Sequence, residues 1–307
     1  METMNFAYRE KLTSLLGWLV DGYWPRDDEL DGAIETIRSP TRSYTLQRLL
    51  ASGNAADIYL AGAGDSEITR DAAYLLKVSR SLEGCSLLDN ERRTLTKLVN
   101  AAGETTYGRY LPILVESFTT GKARKRVNVF RSEAGLYTLE QVHEQHPALD
   151  GRHIAWIFKR LLTVLGFSHR QQTTHGAVLP CHVLIHSAGH GLRLVGWGGS
   201  VRNGRRIETL SRQYRHWYPR EAPARQCASP ATDIFLTARC MVYLAGGDTE
   251  RNWLPDAVPA SMRSFIRACL LESPRMRPQD AWKLHAEFDE LLLRVYGAPK
   301  FHELIMN

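Results

Sequence analysis

Four histidines, His175, His182, His186 and His190, lie close together with Cys181 among them, and imidazole with thiolate is a ligand set that suits zinc. Val183 to Ile185 between them reads as a strand, so successive side chains leave on opposite faces and the set does not converge. These residues read as partly exposed histidines on a loop and hairpin, and no metal site is expected. Arginines crowd the stretch 202–225, at Arg202, Arg205, Arg206, Arg212, Arg215, Arg220 and Arg225, and Lys122, Arg124, Lys125 and Arg126 crowd a turn. A solvated surface is the default for such runs. The sharper alternative is a docking face for an acidic protein or nucleic acid, in which Tyr214, Trp217 and Tyr218 either stack on bases or anchor the loop.

A chain of 307 residues, 44% hydrophobic and 23% charged, is globular and long enough for one large domain or two modest ones. Such values exclude a disordered tail and a collagen-like repeat. The net charge of +6 is small for this length and reads as ordinary solubility. Met1 to Gly22 holds only a short apolar stretch, Leu15 to Val20, and no run approaches bilayer length, so neither a signal peptide, a membrane span nor a membrane partner is expected. The five cysteines, Cys85, Cys181, Cys227, Cys240 and Cys269, are scattered and never arranged as CxxC, which leads to the expectation of a reducing, cytoplasmic setting.

The elements that must hold these side chains change texture along the chain. Asn5 to Asp21 has one apolar helical face and ends at Trp24-Pro25, so residues 1–43 read as an N-terminal helical extension. Thr45 to Leu50, Ile58 to Ala61 and Tyr74 to Val78 read as strands of an antiparallel sheet, followed by a helix over Leu87 to Val99 and further strands at Leu111 to Phe118 and Arg126 to Arg131. Beyond Pro147 the pattern is helical over Ile154 to His169, then a hairpin of Val183 to Ile185 with Leu192 to Val195, and a long polar loop from Gly198 to Gln226. Helices return at Thr232 to Leu244, Pro259 to Leu271 and Pro278 to Tyr296. A mostly β first half and a mostly α second half make an α+β plan in two lobes.

Set in that order, several short motifs resemble those of a eukaryotic-like protein kinase domain. Leu50 to Tyr59 resembles its glycine-rich loop, with Gly53 as the one glycine of three that stands; Tyr74-Leu75-Leu76-Lys77-Val78 resembles its lysine strand; and Asn90 to Leu95 resembles the helix whose Glu91 would pair with that lysine. Thr174 to Ile185 falls where the catalytic loop belongs, with His175, Pro180 and the Val-Leu-Ile ending in register. Val195-Gly196-Trp197-Gly198 falls at the DFG position, and Glu221, Asp233 and Arg277 match the end of the activation segment, the central-helix aspartate and the late arginine. The resemblance covers Tyr44 to Tyr296 and implies a two-lobed kinase-like fold, with an N-lobe over residues 44–135 and a C-lobe over 136–307. It also implies a lobe-bridging Lys77–Glu91 ion pair, either structural or in contact with nucleotide phosphates, a hydrophobic column through His175 and Trp197, and structural roles for Asp233 and a buried Glu221–Arg277 pair.

The departures fall on the chemistry. Phosphoryl transfer rests on a positioned base and on metal ions that neutralise the phosphates. The base position is Ala177, which cannot titrate; the two metal positions are Gly196 and His182, and imidazole is a poor ligand for magnesium. Leu179 and Gly176 replace the loop's lysine and arginine, and Ala51 and Ala56 put methyl groups where backbone would approach phosphate. The resulting expectation is a catalytically inactive pseudokinase acting as a regulatory or binding module, with another protein as partner. Binding of ATP or another nucleotide would be metal-independent and no tighter than about 0.1 mM. The alternative from the enzyme class is an atypical kinase or nucleotide-dependent transferase that uses His175, His182 or Asp57, and a third reading is a purely structural interaction protein.

Overall fold

The structure is a computed structural model that describes residues 36–53, 55–64, 73–120 and 124–306. The helix expected over Asn5 to Asp21 lies outside the described residues. The chain divides into two compact units, one of the described residues through Arg93 with Pro112–Tyr137, the other of Thr94–Leu111 with the residues from Thr138 onward.

The first unit is built on a six-stranded antiparallel sheet. Its strands are β1 (Thr36–Arg38), β2 (Ser43–Ser52), β3 (Ala56–Ala63), β4 (Ala73–Ser79), β5 (Leu114–Thr119) and β6 (Arg126–Arg131), in spatial order β1-β2-β3-β4-β6-β5. Period-2 alternation sorts each strand's side chains between two faces. Tyr44, Leu46, Ala61, Leu76, Val78, Val127 and Val129 bury one core, with Ile37, Tyr59 and Tyr74 packed against it. Thr36–Arg38, which the sequence pattern places in a helical extension, is an edge strand paired with Ser43–Thr45. Three residues are too few for hydrophobic periodicity to register, so only the pairing reveals them. Helix α1 (Leu82–Ala102) starts in this unit and passes into the other at Thr94; Leu88, Glu91, Leu95, Leu98 and Ala102 make its buried stripe. A short strand, β7 (Leu136–Thr138), follows β6.

The second unit is mainly helical. Helix α2 (Leu139–Gln145), absent from the sequence reading, starts from a capping box in which Thr138 and Gln141 satisfy each other's orphan groups. Helix α3 (Gly151–Arg170) is capped by the Asp150 carboxylate and buries Ile154, Ile157, Phe158, Leu161, Leu162 and Leu165. After it come β8 (Thr173–Thr174), the hairpin of β9 (Val183–His186) with β10 (Gly191–Leu194), and β11 (Val201–Arg202), which pairs with β8. The segment 203–229 is a loop with one short 3-10 turn at Arg215–Trp217. Helices α4 (Pro230–Leu244), α5 (Ala260–Cys269) and α6 (Ala281–Tyr296) complete the unit, and Phe158, Phe265 and Phe288 from α3, α5 and α6 meet edge to face or tilted at its centre. An antiparallel sheet unit and a helical unit are compatible with a protein-kinase-like fold.

Candidate functional site

In the first unit the sheet register lays a polar row across three strands. Lys77 of β4 is opposite Asn128 of β6, which is opposite Ser117 of β5, on the face away from the apolar core. Glu91 reaches this row from α1. Its Oε1 accepts from Lys77 Nζ at 2.9 Å and its Oε2 from Asn128 Nδ2 at 3.1 Å; Asn128 also donates to Leu88 O at 2.9 Å and accepts from Ser117 Oγ at 2.6 Å. Glu91 and Asn128 are buried, while the Lys77 side chain keeps 21% exposure. Both carboxylate oxygens are therefore satisfied, which offsets the desolvation that makes buried ion pairs costly. The pair joins helix to sheet within one unit, a correction to its reading as a bridge between lobes. Asn128 and Ser117 were missed in the sequence, although an asparagine among Val127, Val129 and Phe130 is the kind of polar break that marks a buried network.

The loop between β2 and β3 is tied down. Gly53 N–H donates to Ala56 O, Arg80 N–H donates to Ala55 O at 3.0 Å, and the Arg80 guanidinium donates to Ser52 Oγ at 2.7 Å and Gly53 O at 3.4 Å. Asp57 accepts from Ser52 Oγ at 2.6 Å and lies 3.6 Å from Arg80. Asp57 is thus engaged as an ion-pair partner inside this turn.

In the second unit Asp233, fully buried at the start of α4, is the anchor. Its Oδ2 accepts from His175 N–H and from His169 Nε2, both at 2.8 Å, and its Oδ1 accepts from Gly176 N–H at 2.7 Å. Those bonds fix the backbone at the head of the segment 175–182. His175 is fully buried; its Nε2 donates to Val195 O at 2.9 Å and its Nδ1 accepts from Ala177 N–H at 3.2 Å. That pattern is the neutral imidazole, and burial pushes its pKa down to about 4. Trp197, also fully buried, lies edge to face with His175 at 4.5 Å and donates to Leu194 O at 2.7 Å.

The positions that carry chemistry in the resemblance are brought together here. Ala177, Val178 and Leu179 are buried apolar side chains. Gly196 has φ +81°, and a Cβ built on it would lie 2.7–2.8 Å from Cδ2, Cγ and Nδ1 of His182. The imidazole of His182 thus covers the α-carbon of Gly196, held there by Nδ1–H donating to Ala177 O at 2.8 Å. Neither a glycine nor an imidazole committed to a carbonyl supplies the oxygen donors that magnesium requires, so these residues do not fit that ion. The zinc constellation is likewise dispersed. His186 Nδ1 accepts from Gly189 N–H, and His190 stacks on Trp156 and Phe301 while meeting His302 O at 2.7 Å. Among the described residues no group of three or more His, Cys, Asp or Glu side chains could hold a metal.

Glu221 and Arg277 meet as a buried bidentate pair, Nη1 to Oε1 at 2.6 Å and Nη2 to Oε2 at 3.2 Å. Arg277 also donates to Leu271 O and Glu272 O and lies over the Phe235 ring. In the arginine-rich loop Arg206 pairs with Glu208 and Arg220 with Glu272. Tyr214, Trp217 and Tyr218 are all buried, Tyr214 donating to the Glu140 carboxylate and Tyr218 accepting from Ser211 N–H. Of the two readings of these aromatics, loop anchoring is the one that this burial matches.

The sheet unit with its Lys77–Glu91 pair and the helical unit with its Asp233-anchored segment are each compatible with a protein-kinase-like fold. No family model matches the chain. Sequence similarity supports the same class: the chain is similar to Serine/threonine-protein kinase F of Synechocystis sp. (strain ATCC 27184 / PCC 6803 / Kazusa), 25% identical over 210 residues. The match covers 62% of this chain and spans 42% of the length of that relative. Among the described residues no helix is long and apolar enough to cross a membrane.

Proposed function

We propose that the chain is a pseudokinase: a two-lobed kinase-like scaffold, with lobes over residues 44–135 and 136–307 and the edge strand Thr36–Arg38 added to the first, that does not transfer phosphate and acts as a regulatory or binding module for another protein. The observation that carries this reading is the His182 imidazole lying over Gly196, hydrogen-bonded to the carbonyl of Ala177. One contact thus occupies the positions of the base and of both metal ligands with groups that can supply neither function. The candidate substitutes are also committed, because His175 is buried and doubly hydrogen-bonded and Asp57 is paired with Arg80. Losing a base and two metal positions together removes a unit that works only as a whole.

Nucleotide binding, if it persists, rests on Lys77 as a point charge. The β2–β3 turn, held by Arg80 and by the Ala55 carbonyl, is poorly suited to wrap around phosphates. None of the five cysteines forms a disulfide, which suits a reducing compartment. The test is a label-transfer assay with γ-labelled ATP, paired with calorimetric titration of ATP with and without magnesium. The expected result is no transfer above background and an affinity of about 0.1 mM or weaker that magnesium does not change. Sustained transfer abolished by Lys77→Ala, or tight magnesium-dependent binding, would replace this reading with that of an atypical kinase.

A further inference from the structure

On the first unit, α1 and the ends of β5 and β6 line an open pocket of about 310 Å³. Its walls include Ser86, Asp89, Arg93, Thr119, Arg124 and Arg126. Three arginines and one carboxylate line it, an excess of two positive charges. Asp89 is shared, lying 3.1 Å from Arg126 Nη2 and 3.3 Å from Arg93 Nε, and it also pairs with Arg92 outside the cavity at 3.1 Å. One carboxylate cannot satisfy the donors of three arginines. Arg126 Nε is buried with no partner, and its Nη1 reaches only Thr119 Oγ1 at 3.4 Å. Arg124 has φ +47°, a left-handed conformation that costs a side-chain-bearing residue energy. The positive end of the α1 dipole adds to the same field, since Ser86 lies in the helix's N-terminal turns.

We propose that this cavity is a binding site for a phosphate monoester dianion. Arginine forks match phosphate oxygens in geometry and charge, and the hydroxyls of Ser86 and Thr119 supply neutral donors beside them. The same chemistry is offered by a phosphorylated serine or threonine of a partner and by free phosphate, and the experiment separates the two. It uses the full chain and three probes: inorganic phosphate, a short capped peptide with a central phosphoserine, and the same peptide unphosphorylated. Affinities are read by calorimetry at two salt concentrations in the wild type and in Arg93→Gln/Arg124→Gly. Both replaced side chains contribute little to the fold, because Arg93 is 64% exposed and glycine relieves the left-handed backbone at 124.

The expected result is binding of a phosphate-bearing probe that weakens at least tenfold in the double variant and falls with salt, at an unchanged melting temperature. Tighter binding of the phosphopeptide than of phosphate assigns the site to a phosphorylated partner; equal affinities assign it to free phosphate. Equal binding of the unphosphorylated peptide, or of the phosphate probes by the double variant, overturns the proposal. So does absence of binding of both phosphate probes at 10 mM, on the order of the weakest affinity such a charged site should show. If Lys77→Ala abolishes the signal while the double variant keeps it, the anion sits at the lysine, and the proposal fails independently of the pseudokinase reading.

Discussion

Replacing Gly196 with aspartate restores the residue that the kinase resemblance places there, and the structure makes it a destabilising change. The new Cβ would sit 2.7–2.8 Å from three ring atoms of His182, against an optimum of about 3.5–4.0 Å for non-bonded contact. The ring must swing aside, which breaks its hydrogen bond to Ala177 O, a loss of about 0.5–1.5 kcal/mol. Overpacking adds about 1 kcal/mol where the ring is only partly buried. Aspartate at φ +81° costs about 1 kcal/mol more, at the low end because its short polar side chain tolerates the left-handed region. The total is about 2–4 kcal/mol, or roughly 5–10 °C in melting temperature for a unit of this size.

The cause is isolated by adding His182→Ala. If the ring is the obstacle, the double variant recovers most of the loss, giving a coupling of about 1.5 kcal/mol or more where independent sites would agree within about 0.5. Thermal and urea unfolding followed by tryptophan fluorescence would report it, because Trp197 is fully buried next to the altered residue. A Gly196→Asp variant as stable as wild type, or a double variant whose loss is the sum of the singles, would refute the claim that His182 occupies this space.

Arg277→Ala strands the buried Glu221 carboxylate and should cost about 3–5 kcal/mol, whereas Arg206→Ala, in an exposed pair with Glu208, should shift the melting temperature hardly at all; equal effects would deny the buried pair its role. His175 gives a pH test. In the folded chain burial holds its pKa at about 4, while in the unfolded chain histidine titrates near about 6.5, so below that pH the unfolded state takes up a proton that the folded state refuses. This contribution is complete above pH 6.5 and declines as pH falls toward 4, by about 3 kcal/mol across the window. His175→Phe should show a correspondingly shallower fall of stability with acid than wild type, and identical slopes would sink the assignment.

What was legible in the sequence follows from where periodicity and motif order carry information. Helix α3, with its wide apolar face from Ile154 to Phe167, and the strand around Lys77 announce themselves by pattern. Helix α2 does not, because seven residues hold too little periodicity and its signal is the cap formed by Thr138 and Gln141. The order of short motifs was enough to put Glu221 and Arg277 side by side in thought, though they are separated by 56 positions. It could not show that Asn128 closes the Lys77–Glu91 pair, since cross-strand register is not written in either strand alone. Nor could it show that His182 and Gly196, read as two separate losses, are one contact.

The difference between what the scaffold keeps and what it lacks has a physical basis. Asp233 accepts three hydrogen bonds in full burial, Glu221 receives a bidentate arginine, and Glu91 is met on both oxygens. Removing any one of these partners leaves a charge or donor without water, so each is held by the cost of folding without it. The positions that would conduct phosphoryl transfer carry no such penalty. An aspartate at 177 or 196 would contribute a charge to chemistry and no hydrogen bond that the fold needs, and apolar or absent side chains there pack without strain. Once His182 lies over Gly196 the exchange becomes hard to reverse one residue at a time, because the first step back meets the imidazole before it can regain any ligand. On the pseudokinase reading proposed above, such a chain would keep the stability of its fold while its surfaces serve recognition, and the proposed phosphate site beside α1 is where that reading is most open to test.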